Sequence, residues 1–139
     1  MKANRPKTFN VELLFRALAD RTRLRLLNLM GDDEVCVCFL VEALGMSQPK
    51  ISRHLAYLRG VGIVAARREG KWMHYRLVMP TDSPAASLLA AVRAHLANEP
   101  RMQMDRSRLT NLCCSPSVPG ALRKAPKPAN VVQVQAVER

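Results

Sequence analysis

The chain has 139 residues and a formal charge of +11, with a pI near 10.4, which leaves room for one ordinary domain with tails, able to bury a core unaided, and favours an anionic partner. No apolar run approaches the ~20 residues of a membrane span, and the start MKANRPKTFN lacks the apolar stretch of a secretory signal. The expectation is a cytoplasmic protein with no membrane partner, in which cysteines serve as metal-binding or redox-sensing thiols rather than as a disulfide framework.

Residues 1–8, polar and basic with Pro6, read as a flexible N-terminal arm. Phe9, Leu13, Leu14 and Leu18 then mark the apolar face of a first helix. Asp20 is placed to cap a second, whose Leu24, Leu27 and Met30 turn inward until Gly31 stops it. After the acidic linker Asp32, Asp33 and Glu34, a third helix is expected from Cys36 to Leu44, ended by Gly45. Ser47 should cap a fourth running to about Arg59, with Pro49 tolerated in its first turn. Two short helices joined by a tight glycine-containing turn fit helix-turn-helix geometry. From Ile63 to Arg68 and from Trp72 to Val78 the pattern is β-branched, aromatic and basic, with Glu69-Gly70 as the turn of a hairpin wing.

Beyond Pro80 and Pro84, Leu88, Leu89, Val92 and Leu96 recur at helical spacing on an alanine-rich segment to about Asn98, nearly uncharged and in want of a partner surface. The expected organisation is thus the arm at 1–8, a domain at 9–98, an undecided C-terminal segment at 99–114 carrying Cys113 and Cys114, and a disordered tail at 115–139, where four prolines accompany no aromatic residue. The fold class is mainly α (α+β), a winged helix-turn-helix of about five helices with a two-stranded hairpin.

The charge is localised. Between Ser47 and Met79 stand seven basic residues against one acidic, whereas Met1 to Met46 holds seven against six, so the excess falls on the fourth helix and wing, as a binding face requires. In the fourth helix, Ser47, Gln48, Lys50, Ser52, Arg53 and His54 present polar and basic groups, while Ile51, Leu55 and Leu58 are left for the core. Gln48 can make two hydrogen bonds to a base edge, Lys50 and Arg53 can pair with phosphate or guanine, and the serines can donate to phosphate oxygens. His54 is as readily a turn or core hydrogen-bonder as a phosphate contact. Arg67, Arg68 and Lys71 at the hairpin would meet backbone or minor groove, adding affinity that falls with salt.

The blocks Ala17-Leu18-Ala19-Asp20-Arg21-Thr22-Arg23-Leu24-Arg25, Cys36-Val37-Cys38, Ser47-Gln48-Pro49-Lys50-Ile51-Ser52-Arg53-His54-Leu55 and Gly70-Lys71-Trp72-Met73-His74-Tyr75-Arg76-Leu77 closely resemble the ArsR/SmtB family, specifically its arsenic-responsive repressors, over about residues 9–98. The resemblance implies a homodimeric repressor of a metalloid-resistance operon, bound to double-stranded operator DNA at an imperfect inverted repeat. It further implies release when arsenite or antimonite binds cysteine thiolates, with no cofactor needed for folding. Phe39 stands where family members often carry aspartate, and Val41 where a third cysteine can occur, so three thiols cannot come from this segment alone.

Thiolates suit soft ions, and trivalent arsenic accepts three sulfurs in a pyramid. Cys36 and Cys38 supply two, but residues two apart in a regular helix point to nearly opposite sides, so joint chelation would require the first turn of the third helix to be unwound. The third thiolate is expected from Cys113 or Cys114 of the same or the partner subunit. Alternatively that pair forms a separate two-thiol site suited to methylarsenite. His95 and Glu99 alone are too few for a zinc site on the last helix. Three rivals stand beside the metalloid repressor: a thiol redox repressor of the same fold, an oxidoreductase using Cys36-Val37-Cys38, which lacks a thioredoxin-like context, and a sequence-neutral architectural protein.

Overall fold

In a computed structural model of the chain, residues 9–31, 33–114 and 124–128 are described; the expected arm at 1–8 lies outside them. Among the described residues the order is α1 (Val11–Leu18), α2 (Arg21–Met30), β1 (Val35–Cys36), α3 (Val37–Leu44), α4 (Gln48–Val61), β2 (Val64–Glu69), β3 (Trp72–Leu77), α5 (Ser83–Ala97) and α6 (Pro100–Cys114). Four of these helices start on a side chain that accepts a hydrogen bond from an otherwise unpartnered first-turn N–H: Asn10 from Leu13 at 3.1 Å, Asp20 from Arg23 at 3.0 Å, Ser47 from Lys50 at 3.4 Å and Asp82 from Ala85 at 3.0 Å. Each cap contributes about 1 kcal/mol and fixes where its helix begins.

Gly45 ends α3 at φ 64°, a left-handed conformation that costs a side-chain-bearing residue ~1–2 kcal/mol. Gly45, Met46 and Ser47 then make the turn into α4, so α3 and α4 form the expected helix-turn-helix. Leu14 of α1, Leu26, Leu27 and Met30 of α2, Phe39 and Leu40 of α3, and Ile51, Leu55 and Leu58 of α4 are at most 1% exposed. Burying each side chain of this kind contributes about 1.5–3 kcal/mol, which locks α4 to the body and leaves its other face outward.

Two core expectations shift. Leu24 is half-buried and Leu13 exposed, while Leu26 and Leu29 are buried, because α2 is packed on both sides, against α4 and α6, and its inward face is broader than a single stripe. Val11, Leu13 and Phe15 on α1 and Leu88 on α5 remain exposed.

The sheet also departs from the expected two-stranded wing. It has three strands in the order β1-β3-β2, each neighbouring pair antiparallel. Cys36 pairs with His74 and therefore belongs to a strand; the third helix starts one residue later than expected. The wing turn is Gly70-Lys71 rather than Glu69-Gly70, since Glu69 pairs with Trp72. Gly70 has φ 59° and no non-glycine residue has positive φ among the described residues, the arrangement that places glycine first in a two-residue hairpin loop.

Residues 100–114, left undecided above, form a sixth helix. Met102, Asp105, Leu109 and Cys113 are buried and recur three and four residues apart, so they share one face, which packs on α2 and α3. Arg25 in α2 donates to Asp105 twice, Nε to Oδ2 at 2.7 Å and Nη2 to Oδ1 at 2.9 Å. Asn28 donates to the Met102 carbonyl at 3.0 Å. Of the tail expected to be disordered, residues 124–128 are described, with Ala125 and Pro128 buried; the rest of it lies outside the described residues.

Candidate nucleic-acid interface and thiol pair

Helix α4 presents Ser47, Gln48, Lys50 and Arg53 on its exposed side and leaves Ser52 half-buried. Ser47 spends its oxygen on the cap, so only its hydroxyl proton is available to a ligand oxygen. Arg53 lies along its own helix, Nε 3.4 Å from the Pro49 carbonyl, and is positioned to swing outward. His54 behaves otherwise. Its Nδ1 lies 3.4 Å from an Arg23 Nη1 and 3.9 Å from Asp20 Oδ1. Arg23 in turn donates to the carbonyls of Ala17 at 2.8 Å and Arg16 at 2.9 Å and lies 4.3 Å over the Tyr57 ring. Burial pushes the Asp20 carboxyl up, but the Arg23 backbone N–H and the charges of Arg23 and His54 outweigh it and hold the group below its ordinary value. His54 is thus tied into a polar brace joining the start of α2 to the middle of α4. Arg23 is part of this machinery that sequence reasoning passed over.

On the wing, Arg68 and Lys71 are exposed, with the Lys71 ammonium 4.9 Å from the Trp72 ring centre. Arg67, grouped with them in the sequence, is held differently. Its guanidinium clasps Glu34, Nη2 to Oε1 at 2.6 Å and Nε to Oε1 at 3.0 Å and to Oε2 at 3.2 Å, and reaches Glu69 at 3.4 Å. The Arg67 hydrogen bond is the main reason the Glu34 carboxyl lies below the usual range. Its charge is answered within the protein.

The thiols meet at the join of sheet and helix. Cys36 is 1% exposed, with φ −66° and ψ 139°, and occupies the position just before α3; Cys38 is half-buried in the first turn. Their sulfurs are 2.9 Å apart. The unwinding expected above is unnecessary, because the extended backbone at Cys36 already turns its side chain toward Cys38. Hydrogen bonding from Cys38 is the largest influence on Cys36 and, with the Cys38 N–H and the nearby His74, outweighs burial to pull its thiol below the ordinary range. The same hydrogen bond, burial and the charge on Cys36 push Cys38 up. A hydrogen bond between the two sulfurs eases loss of the other proton, and the thiolate is the form that binds soft ions.

Cys113 is buried in the α6 packing face, and the side chain of Cys114 lies outside the described residues. Among the described residues no three His, Cys, Asp or Glu side chains converge to hold a metal ion. Glu99 bonds Arg21 at 2.9 Å and lies 3.7 Å from His95. No helix among the described residues is long and apolar enough to cross a membrane.

Residues 20–66 match the family model described as bacterial regulatory protein, arsR family. The arsenical resistance operon repressor of Escherichia coli K12 is 51% identical over 77 residues, 55% of this chain and 66% of that protein, so the chain spans just under two thirds of that relative. The arsenic resistance transcriptional regulator ArsR1 of Pseudomonas putida is 42% identical over 110 residues, 78% of this chain and 84% of that protein. Among solved structures, a homodimeric winged helix-turn-helix DNA-binding domain from Mycobacterium bovis, a possible ArsR-family regulator, superposes with a TM-score of 0.52 at 33% identity, covering 63% of this chain and 78% of that one. All three are described as regulators or DNA-binding domains, not as enzymes.

Proposed function

The chain belongs to the ArsR family of bacterial regulatory proteins, and from that membership we propose that it is a metalloid-responsive transcriptional repressor acting in the cytoplasm. It binds operator DNA as a homodimer and lets go when trivalent arsenic or antimony is held by cysteine thiolates. The observation that carries this reading is the 2.9 Å approach of Cys36 and Cys38 at the start of α3, the first helix of the helix-turn-helix. Two sulfurs at that separation reach one ion at ~2.3 Å from each with only a small spreading. Cys113 and Cys114 are the chain's other thiols and the candidates for a third sulfur; Cys113 could serve only after leaving its buried seat. Methylarsenite, with two exchangeable positions, needs no third.

Gln48, Lys50, Ser52 and Arg53 enter the major groove in this reading, Ser47 donates to a phosphate, and Arg68 and Lys71 meet the backbone at the wing. His54 supports the helix from behind. The apolar side chains left exposed on α1 and α5, Val11, Phe15 and Leu88, are what a partner subunit would cover, and a two-fold dimer reads an inverted repeat. The test is fluorescence anisotropy of the reduced protein on its own promoter DNA, titrated in turn with arsenite, methylarsenite, zinc and peroxide. Arsenite should release the DNA, and Cys36→Ser/Cys38→Ser should abolish that release. Release by zinc alone, or by none of the four, would overturn the reading.

The sulfur pair also favours a second reading, repression governed by thiol oxidation. Cys36 and Cys38 would together lose two protons and two electrons to peroxide, closing a disulfide and yielding two waters. Release by peroxide and not by arsenite selects it.

A further inference from the structure

The sheet places the thiol pair and the wing on one continuous surface. Cys36 pairs with His74 across β1 and β3, and His74 with Arg67 across β3 and β2. Residues directly opposed in an antiparallel sheet project from the same face, so these three form a row crossing all three strands. Side chains two residues apart return to the same side, which adds Glu34 beside Cys36 and Glu69 beside Arg67. The distances close this into a ring. Arg67 holds Glu34 at 2.6 Å and Glu69 at 3.4 Å, Glu69 lies 3.5 Å from His74 Nε2, and His74 is the cross-strand neighbour of Cys36. His74 is 4% exposed and its Nε2 has no hydrogen-bond partner among the described residues, so the row is buried at Cys36 and His74 and reaches the surface at Arg67 and Glu69.

The geometry points to Glu34 and Arg67 as positioning residues that join the Cys36–Cys38 site to the wing: a ligand seated on the two sulfurs is felt at the wing through Glu34–Arg67, across the sheet. This rests on the reading of Cys36 and Cys38 as the ligand site. Cys36 is two residues from Glu34 in sequence, so whatever draws its sulfur toward a bound ion also draws the carboxylate, and the carboxylate grips the middle of β2 by three hydrogen-bond contacts. A doubly engaged guanidinium–carboxylate pair fixes direction as well as distance, as a connecting element must. The same contact removes Arg67 from the groups offered to phosphate, since its charge is already met. A coupling element needs an equilibrium that both ends bias; here it is the seating of β1 against β3 and of Glu34 against β2.

Trp72, the only tryptophan in the chain, opens β3 at the wing turn and reports on it. The probe is phenylarsine oxide, an organoarsenical that takes two thiols, added to the reduced protein carrying Cys113→Ala and Cys114→Ala; mass spectrometry verifies one adduct per chain. Trp72 emission should change when the adduct forms. The change should fall below half its size in both Glu34→Gln and Arg67→Gln with the adduct still complete. The charge-exchanged Glu34→Arg/Arg67→Glu should recover most of it, which separates a pair from two independently needed side chains. An unchanged wing signal in Glu34→Gln, no signal in the parent protein, or no recovery on exchange overturns the inference. A wing that responds while arsenite leaves DNA affinity unaltered would remove the repressor-release reading and keep the connection.

Discussion

Asp105→Ala tests what seats α6. The carboxylate accepts from both Arg25 Nε and Nη2 at 2.7 and 2.9 Å, with Arg25 7% and Asp105 4% exposed, so the variant strands a guanidinium with little water to replace its partner. Removing one member of a buried ion pair costs about 3–5 kcal/mol. A typical domain has about 5–15 kcal/mol in all, so a large share of the protein's stability would go. The reverse holds for removing both charges: Arg25→Met with Asp105→Leu leaves no stranded ion, and such replacements run from neutral to about 1–4 kcal/mol stabilising. Urea unfolding followed by far-ultraviolet circular dichroism, at one fixed protein concentration because a dimer's stability depends on it, gives the two midpoints. Hydrogen exchange along 100–114 shows where the loss falls. A single variant within about 1 kcal/mol of the parent, or a double variant no better than the single, would refute the reasoning and leave α6 seated by the burial of Met102, Leu109 and Cys113 and by the Asn28 hydrogen bond.

Four further outcomes follow from the geometry. Arg68→Gln and Lys71→Gln should each weaken binding to operator and random DNA alike and flatten the log–log salt slope by about 0.9, whereas Arg67→Gln should move it far less, because Glu34 already answers that charge; filter binding at several salt concentrations compares them. Gln48→Ala should relax discrimination at one base pair by about 1–3 kcal/mol, read by competition among single-substitution duplexes. Gly45→Ala should lower stability by about 1–2 kcal/mol, since φ there is 64°, measured by thermal melting. Cys36 has its folded pKa depressed, so its thiolate contributes stability above the unfolded thiol pKa that is lost as pH falls through the folded one; thiolate ultraviolet absorbance in the Cys113→Ala/Cys114→Ala background should titrate below the ordinary thiol range for Cys36, and Cys38→Ala should move it back up.

What the sequence made legible was mostly local. Asp20 and Ser47 announce their helices by capping chemistry, Gly45 by its conformation, and Ile51, Leu55 and Leu58 by spacing, and these suffice for the helix-turn-helix. The wing is readable because its two strands adjoin a glycine turn. What failed to show depends on partners remote in the chain. The face of α6 carries Asp105 in its middle and looks unfit for burial until Arg25, 80 residues earlier, is seen to meet it. Strand β1 is two residues long, too short for any alternation to register, and it becomes a strand only because Tyr75 and His74 lie beside it. From that omission came the helical placing of Cys36 and the supposed need to unwind α3, and the Glu34 partner of Arg67 went unseen.

A strand of two residues has consequences for time as well as for shape. Cys36 is 1% exposed, so its sulfur is closed to an ion in the resting structure, yet the strand that carries it is two residues long and held by very few ladder hydrogen bonds, and such short segments open locally at a small fraction of the free energy of global unfolding. Under the proposed thiol site, capture would be gated: at low ligand the rate rises with concentration, and at high ligand it levels off at the frequency with which β1 lifts from β3. The protein would owe its speed of response to the brevity of a strand, and its reluctance to respond to passing metals to the same strand being closed most of the time.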